Sequence, residues 1–305
     1  MTVPARVLVL LAARNGQACL GRQLDTVLAQ KGVLVRVDVR DDGSTDATRE
    51  LVAGYAAGDD RVRLVPGHEA SGSAAGNFFQ LIRQADVRGV DLVAFCDQDD
   101  EWFLDKLARA AAALAATGAD GGSAAVRARW PDGRERDLGQ NPSQRLGDYL
   151  FEGAGQGCTF VMTVQLFERV RAMVDRAEAA GVHYHDWTVY AIARAAGLRW
   201  HFDPEPVMTY RQHAGNDTGA RSSLAGVARR LAAIRDGWYR TQVDAMASLV
   251  LVVAPDDPAA LRWRALAQRR GVSGRLGRAA FVLQHGRRRP ADRLVQAAAA
   301  LAGHL

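Results

Sequence analysis

Between Val7 and Cys96 the sequence alternates apolar runs of strand length with segments of helical period, an alternation that few folds can accommodate. Val7-Leu8-Val9-Leu10-Leu11 is continuously apolar, as in a strand covered on both faces, and it stops at the turn signal Arg14-Asn15-Gly16. Leu20, Leu24, Val27 and Leu28 then fall at helical spacing. Val33, Val35, Val37 and Val39 alternate as a second strand that runs into Asp41-Asp42-Gly43-Ser44. A helix follows, with Ser44, Thr45 or Asp46 as N-cap and Leu51, Val52 and Tyr55 turned inward. A short strand from Arg61 to Val65, a Gly/Ser-rich loop and a helix carrying Phe78, Leu81 and Ile82 come next. Leu92 to Cys96 is the fourth strand. The pattern predicts an α/β fold with a Rossmann-like, mostly parallel central sheet.

In such sheets ligands collect at the carboxyl ends of the strands. Two of these strands end in carboxylates: Asp41-Asp42, and Asp97-Gln98-Asp99-Asp100. Like charges packed this closely repel unless a cation or strong hydrogen bonds compensate. Hard oxygen ligands in that number suit Mg²⁺ or Mn²⁺, which also take up phosphate oxygens. The alternative is a solvated turn in which Asp99 or Asp100 caps a helix. The run from Asp41 to Asp46 is likewise turn chemistry in its own right.

After Gly121-Gly122 the elements shorten. Ala124 to Trp130, the turn Pro131-Asp132-Gly133 and Arg134 to Leu138 predict a hairpin. Thr159 to Thr163 predicts a strand and Gln165 to Ala180 a helix. His185-Asp186-Trp187 opens a further helix through Ala196, which Gly197 ends. From Leu224 onward the chain consists of basic, Ala-rich helices broken at Pro255 and Pro258. We therefore expect three segments: 1–120 and 121–220 as the two halves of a catalytic body, and 221–305 as a helical extension.

Charge separates the last segment from the rest. From Arg221 it holds 15 Arg against 5 Asp, whereas the whole chain is only +5, so the body is net acidic. Arg229-Arg230, Arg269-Arg270 and Arg287-Arg288-Arg289 lie among Leu, Val and Ala. Such helices either rest on an anionic membrane surface or pack on the body with solvated basic faces. No nucleic-acid module accompanies the charge, so nucleic acid is not an expected partner. Cys19, Cys96 and Cys158 have no metal-finger spacing and imply no disulfide framework, which suits core residues in a reducing compartment. No stretch approaches the ~18 apolar residues of a spanning helix. Met1 to Ala13 reads as a first strand rather than a signal peptide, so a cytoplasmic location is expected.

Seven segments, in order, carry a family resemblance: LLAARNG (10–16), RDDGSTDAT (40–48), GNFFQL (76–81), FCDQDDEW (95–102), GCTFVM (157–162), HDW (185–187) and YRQHAGN (210–216). The chain resembles the inverting nucleotide-sugar glycosyltransferases of family 2, which have the GT-A fold, and most of all their bacterial rhamnosyltransferase-like subset. The resemblance implies transfer of a sugar from a dTDP- or UDP-linked donor to a hydroxyl of a glycan or lipid-linked acceptor, with Mg²⁺ or Mn²⁺. Rhamnose follows from the subset, and a UDP-hexose or N-acetylhexosamine donor stays open. Asp42, with Asp41, is implied at the nucleobase. Ala12, Arg14 and Asn15 are implied along the nucleotide, although Ala13-Arg14-Asn15-Gly16 replaces the usual Thr-Tyr-Asn-Gly and loses the aromatic. Asp99 and Asp97 are the implied metal ligands, His213 a third ligand or phosphate contact, and Asp100 a donor-sugar contact. Asp186 matches the base that takes the acceptor proton, the alternative being a helix cap, with His185 an outside candidate. Trp102 on the donor side and Trp187, Gly157 and Cys158 on the acceptor side are implied in the sugar pocket, the tryptophans being equally suited to the core. Rival classes are a haloacid-dehalogenase-type phosphatase, a sugar-phosphate nucleotidyltransferase and a non-catalytic nucleotide-sugar-binding module. The first places its D-x-D on the first strand and the second needs a Gly-rich, basic first loop, neither of which is present.

Overall fold

The computed structural model describes residues 3–212 and 232–305, so Arg229, Arg230 and His213 lie outside the described residues. The first half is built as the alternation predicts. Strands β1 (Ala5–Ala13), β2 (Val33–Asp41), β3 (Val62–Leu64) and β4 (Leu92–Cys96) are linked by helices α1 (Leu20–Leu28), α2 (Thr48–Gly58) and α3 (Ala74–Gln84). All four strands pair in parallel in the order β3-β2-β1-β4. The continuous apolar run of β1 has a direct cause. Leu8 and Leu10 enter the core on one face, while Val7, Val9 and Leu11 enter the core on the other. In register, Ala13 faces Asp41 and Leu11 faces Cys96, so the carboxyl ends of β1, β2 and β4 come out side by side.

The second half closes the same sheet with mixed pairing. It comprises β5 (Glu101–Trp102), α4 (Lys106–Thr117), β6 (Gly121–Arg129), β7 (Glu135–Leu138), β8 (Val161–Thr163), α5 (Val164–Arg171), α6 (Val174–Ala179), α7 (His185–Ala195) and β9 (Trp200–Arg211). The predicted hairpin is β6–β7. The nine-stranded sheet continues from β4 to β8, β6, β9 and β5, with β4–β8 antiparallel and β6–β9 parallel. Two local expectations are revised. The helix expected over Gln165–Ala180 is broken after Arg171, where Met173 N–H donates to Val170 O (2.9 Å), and the break keeps both Val174 and Ala177 in the core. The helix after β2 starts at Thr48, and of the three cap candidates it is Asp46 that accepts from the Thr48 N–H (3.0 Å).

Four helices end the chain: α8 (Trp238–Val253), α9 (Pro258–Ala267), α10 (Gly271–His285) and α11 (Pro290–Ala302). Asp257 caps α9 by accepting from Ala260 N–H (2.8 Å), with Pro258 in the first turn. These helices share the core that begins at the sheet. Trp263 meets Phe151 edge-on at 5.2 Å, and Phe281 packs against both rings. One reading of the basic tail is corrected here. Arg288 is buried, and the Arg287 guanidinium lies over the Tyr239 ring at 5.3 Å. Of that triplet only Arg289 is exposed, whereas Arg269 and Arg270 are both exposed.

Candidate active site

The frame of the site is a set of hydrogen bonds that lock three strand ends together. Asn77, buried in the first turn of α3, donates to the backbone oxygens of Ala13 (3.3 Å) and Arg40 (3.4 Å). Its own Oδ1 accepts from Arg40 Nη1 (2.9 Å). The same Arg40 nitrogen donates to Asp42 Oδ1 (2.5 Å), and Ser71 donates to both Asp42 oxygens, through its N–H (2.8 Å) and its hydroxyl (3.0 Å). Asp42 is therefore buried and paired. Asp41 is buried as well, but its Oδ1 has no hydrogen-bond partner among the described residues. Of the two candidate base-reading carboxylates, Asp41 keeps the open acceptor.

The loop after β1 is tied to the loop after β4. Gln98 accepts from the Arg14 N–H (2.8 Å) and donates to the Arg14 carbonyl (2.9 Å), copying one rung of a β-ladder with a side chain. Asn15 adopts a left-handed backbone (φ 49°), which Asn tolerates, and its Oδ1 accepts from Thr45 N–H (2.9 Å). Gly16 leaves room for this rung: a Cβ there would stand 2.4 Å from Gln98 Oε1 and displace that side chain. The Arg14 side chain stays exposed at the mouth of this junction, next to half-buried Ala12 on β1.

Below it lies the acidic strand end. Asp97, Asp100 and Cys158 bring one potential ligand atom each within 4.8 Å of one another. Burial, with Asp99 nearby, pushes the Asp97 carboxyl up to about 7. Burial, with Asp97 and Asp99, holds Asp100 well above the usual carboxylate range, and its Oδ2 has no hydrogen-bond partner among the described residues. Two desolvated carboxylates this close share a proton unless a cation between them lets both ionise. The Cys158 thiol is itself raised well above its ordinary value by burial, so it remains protonated beside the two carboxylates. Hard oxygens with an unfilled acceptor fit a divalent cation such as Mg²⁺ or Mn²⁺, and a neutral thiol is no ligand for either. β5–β9 pairing brings the Arg211 N–H to Asp100 Oδ1 (3.3 Å). The chain leading to His213 thus borders the cluster, although His213 itself is not described.

A cation already sits on the far side. Lys106 is buried; its Nζ donates to the Cys158 carbonyl (2.6 Å) and stands 3.3 Å over the Trp102 ring. Burial lowers it to about 8, so it remains largely charged at neutrality. Trp102 is buried beneath that ammonium. Trp187 is buried as well, its indole N–H donating to Tyr149 O (2.7 Å).

Asp186 stands in the first turn of α7 rather than at its cap, which is Tyr184. Burial pushes its carboxyl up to about 6, even though the Trp187 N–H donates to it (2.7 Å) and favours the charge. Its charge adds to the upward push on Asp97. The turn Gly157–Thr159 is packed against Asp186, and a Cβ on Gly157 would lie 3.1 Å from Asp186 Cβ and 2.7 Å from His185 Nε2. His185 stacks on Phe78 (3.9 Å), and burial lowers it to about 3, which leaves it neutral and a poor base. Sequence reasoning missed Arg40, Ser71, Asn77, Gln98 and Lys106. For Arg40, Asn77 and Gln98 the signal was present, since all three lie inside motifs already singled out.

This arrangement matches a known class. Residues 8–173 match the family described as "Glycosyl transferase family 2", and the chain belongs to that family. Its fold is GT-A, and it is a glycosyltransferase. Over 241 residues, 78% of this chain and 83% of the relative, it is 34% identical to the dTDP-rhamnosyl transferase RfbG of Shigella flexneri. Among solved structures it resembles S. aureus TarS 1-349 in complex with UDP-GlcNAc (TM-score 0.55, 12% identity, 92% of this chain and 81% of that one). It also resembles the mannosyltransferase PcManGT from Pyrobaculum calidifontis in complex with GDP-Man and Mn2+ (TM-score 0.52, 21% identity, 99% and 86%).

Proposed function

We propose that the chain is an inverting, divalent-metal-dependent rhamnosyltransferase that moves rhamnose from a dTDP donor to a hydroxyl of a glycan or lipid-linked acceptor. The observation that carries this reading is the Asp97–Asp100 pair, with an unfilled Asp100 acceptor, near enough to Asp186 for that charge to bear on Asp97. The sugar rests on the likeness to the dTDP-rhamnosyl transferase of Shigella flexneri. Asp97 and Asp100 would hold the ion, with Asp99 and His213 completing it. When bound, the ion neutralises the charge that develops on the departing nucleoside diphosphate. Arg14, at the cleft mouth, approaches the same diphosphate. Asp41 accepts from the thymine N–H at the open end of β2. Asp186 accepts the proton of the acceptor hydroxyl as that oxygen attacks the anomeric carbon from the face opposite the leaving group. Gly157, without a side chain, lets this backbone lie close against Asp186 and His185.

A thermal-shift series with dTDP, UDP and GDP, each with and without Mn²⁺, tests the reading. We expect the largest stabilisation from dTDP with Mn²⁺, and expect Asp97→Asn to lose the Mn²⁺-dependent part. No metal-dependent shift with any nucleotide would overturn it. Peripheral membrane contact belongs to the same reading. No described helix is long and apolar enough to cross a membrane. Yet α10 and α11 leave Val272, Leu276, Leu294 and Leu301 exposed, with exposed Arg269, Arg270 and Arg289 at the helix ends. Flotation with anionic but not zwitterionic vesicles is the expected result.

A further inference from the structure

A buried ionic cluster joins the C-terminal helices to the helix that carries Asp186. Its hub is Asp148, fully buried in the turn Asp148–Leu150. One Asp148 oxygen accepts from Arg194 Nη1 (2.9 Å), and the other accepts from the Tyr190 hydroxyl (2.9 Å) and from Arg288 Nη1 (3.0 Å). Tyr190 and Arg194 lie on α7, one and two turns beyond Asp186, whereas Arg288 comes from the turn between α10 and α11. The other arm of the Arg288 fork, Nη2, donates to the Gly153 carbonyl (2.7 Å), and its backbone N–H donates to Glu152. Two carboxylates and two guanidiniums therefore balance in the interior, which only a well-fitted cluster can afford.

The geometry bears on the active site through Gly153. A Cβ there would lie 3.2 Å from the Trp187 Cα, so this backbone is pressed against the residue next to Asp186. Trp187 in turn donates its indole N–H to Tyr149 O, inside the same segment. That segment leads directly into Gly157 and Cys158, the wall between Asp186 and the acidic strand end. We propose that Arg288 is a positioning residue for glycosyl transfer: by holding the Asp148–Gly153 backbone against the first turn of α7, it sets where Asp186 stands relative to the acidic strand end. A basic residue that the sequence assigns to a surface thereby acts from the interior. The proposal rests on the reading of Asp186 as base.

The test uses the full chain as wild type, Arg288→Met, Arg288→Lys and Gly153→Ala, the last leaving every charge in place should Arg288→Met fail to fold. Hydrogen exchange by mass spectrometry, dTDP affinity with Mn²⁺, and dTDP release from dTDP-rhamnose are measured on each. In Arg288→Met and Gly153→Ala, exchange should rise about tenfold over 148–157 and the first turn of α7, with β1, β2 and β4 unchanged. Affinity for dTDP should stay within about threefold while turnover falls about 10- to 100-fold, because displacement of a base by an ångström is that costly. Arg288→Lys keeps the charge opposite Asp148 but not the fork, and should recover part of the turnover. Unchanged exchange in α7 with normal turnover would overturn the proposal. So would a rise in exchange throughout the protein with dTDP binding lost alongside it, the mark of a merely structural residue. Asp186→Asn in the same assay keeps the two readings apart. If it turns over normally, the assignment of the base fails, and the exchange data alone still decide whether Arg288 holds α7.

Discussion

As the proposed base, Asp186 carries two opposed demands. A base must be ionised at working pH, yet burial favours its protonated form and pushes it up to about 6. The linkage follows from the sign of that shift. The unfolded carboxyl titrates near its ordinary value of 3.8, so between there and about 6 the folded chain holds a proton that the unfolded chain has released. The contribution of Asp186 to wild-type stability therefore declines as pH rises through that window and stays lower above it. Asp186→Asn has no such titration. It should melt at a higher temperature than wild type at pH 8 and at nearly the same temperature at pH 4. Transfer by the variant should fall by about 10²- to 10⁴-fold with dTDP binding retained. In wild type, turnover should lose its ionised base as pH drops below about 6. A variant that melts lower than wild type at pH 8 would show that the carboxylate is stabilising, and the proposed strain would be wrong.

At the scale of elements, the site is made by loops that fasten one strand end to the next, and the fastenings are testable as pairs. Gly16→Ala forces Gln98 off the Arg14 backbone, because the new Cβ and Gln98 Oε1 cannot coexist at 2.4 Å. Gln98→Ala removes the same two hydrogen bonds without a clash. Each should cost about 1–2 kcal/mol in unfolding free energy, and the double variant little more than either alone. Additive losses would mean the two residues act separately. The same junction shows what can be read locally. Asp97 to Asp100 and Asp41-Asp42 were legible because each motif is contiguous and ends an apolar strand. The partners that decide their chemistry come from far along the chain. Cys158 reaches Asp97 and Asp100 through the antiparallel return of β8, and no periodicity announces such pairing. β9 was hidden by Pro204 and Pro206, which sit where its register with β6 shifts and where no ladder N–H is needed. β5 is two residues long, too short for any pattern. Lys106 lies in no motif of the sequence, and only the fold buries it in the first turn of α4, where its ammonium bears on Asp97 and Asp100.

For the molecule as a whole, the question is whether the C-terminal helices are an attachment or part of the foundation. Charge alone marks residues beyond 221 as separate, and that contrast is real on the surface. The interior is continuous. Phe151, beside the loop that walls the cleft, packs edge-on against Trp263 of α9, and Phe281 of α10 fills the remaining side. The Tyr239 hydroxyl of α8 donates to the Phe151 carbonyl (2.6 Å), and the Tyr149 hydroxyl donates to Asp257, the cap of α9 (2.5 Å). Contacts this far apart in sequence and this deeply buried couple the tail to the body within one cooperative unit. Trp263→Ala, at a fully buried ring with few ways to collapse, should cost about 3–5 kcal/mol. The informative measurement is how that loss is distributed. If the tail is part of the foundation, near-ultraviolet circular dichroism, tryptophan fluorescence and the dTDP-induced shift should all move to the same lower midpoint, in one transition. If the tail is an attachment, the tail would melt first and nucleotide binding would survive to the wild-type midpoint. The cluster around Asp148 predicts the first outcome, because the helix bearing Asp186 and the turn bearing Arg288 share the same carboxylate.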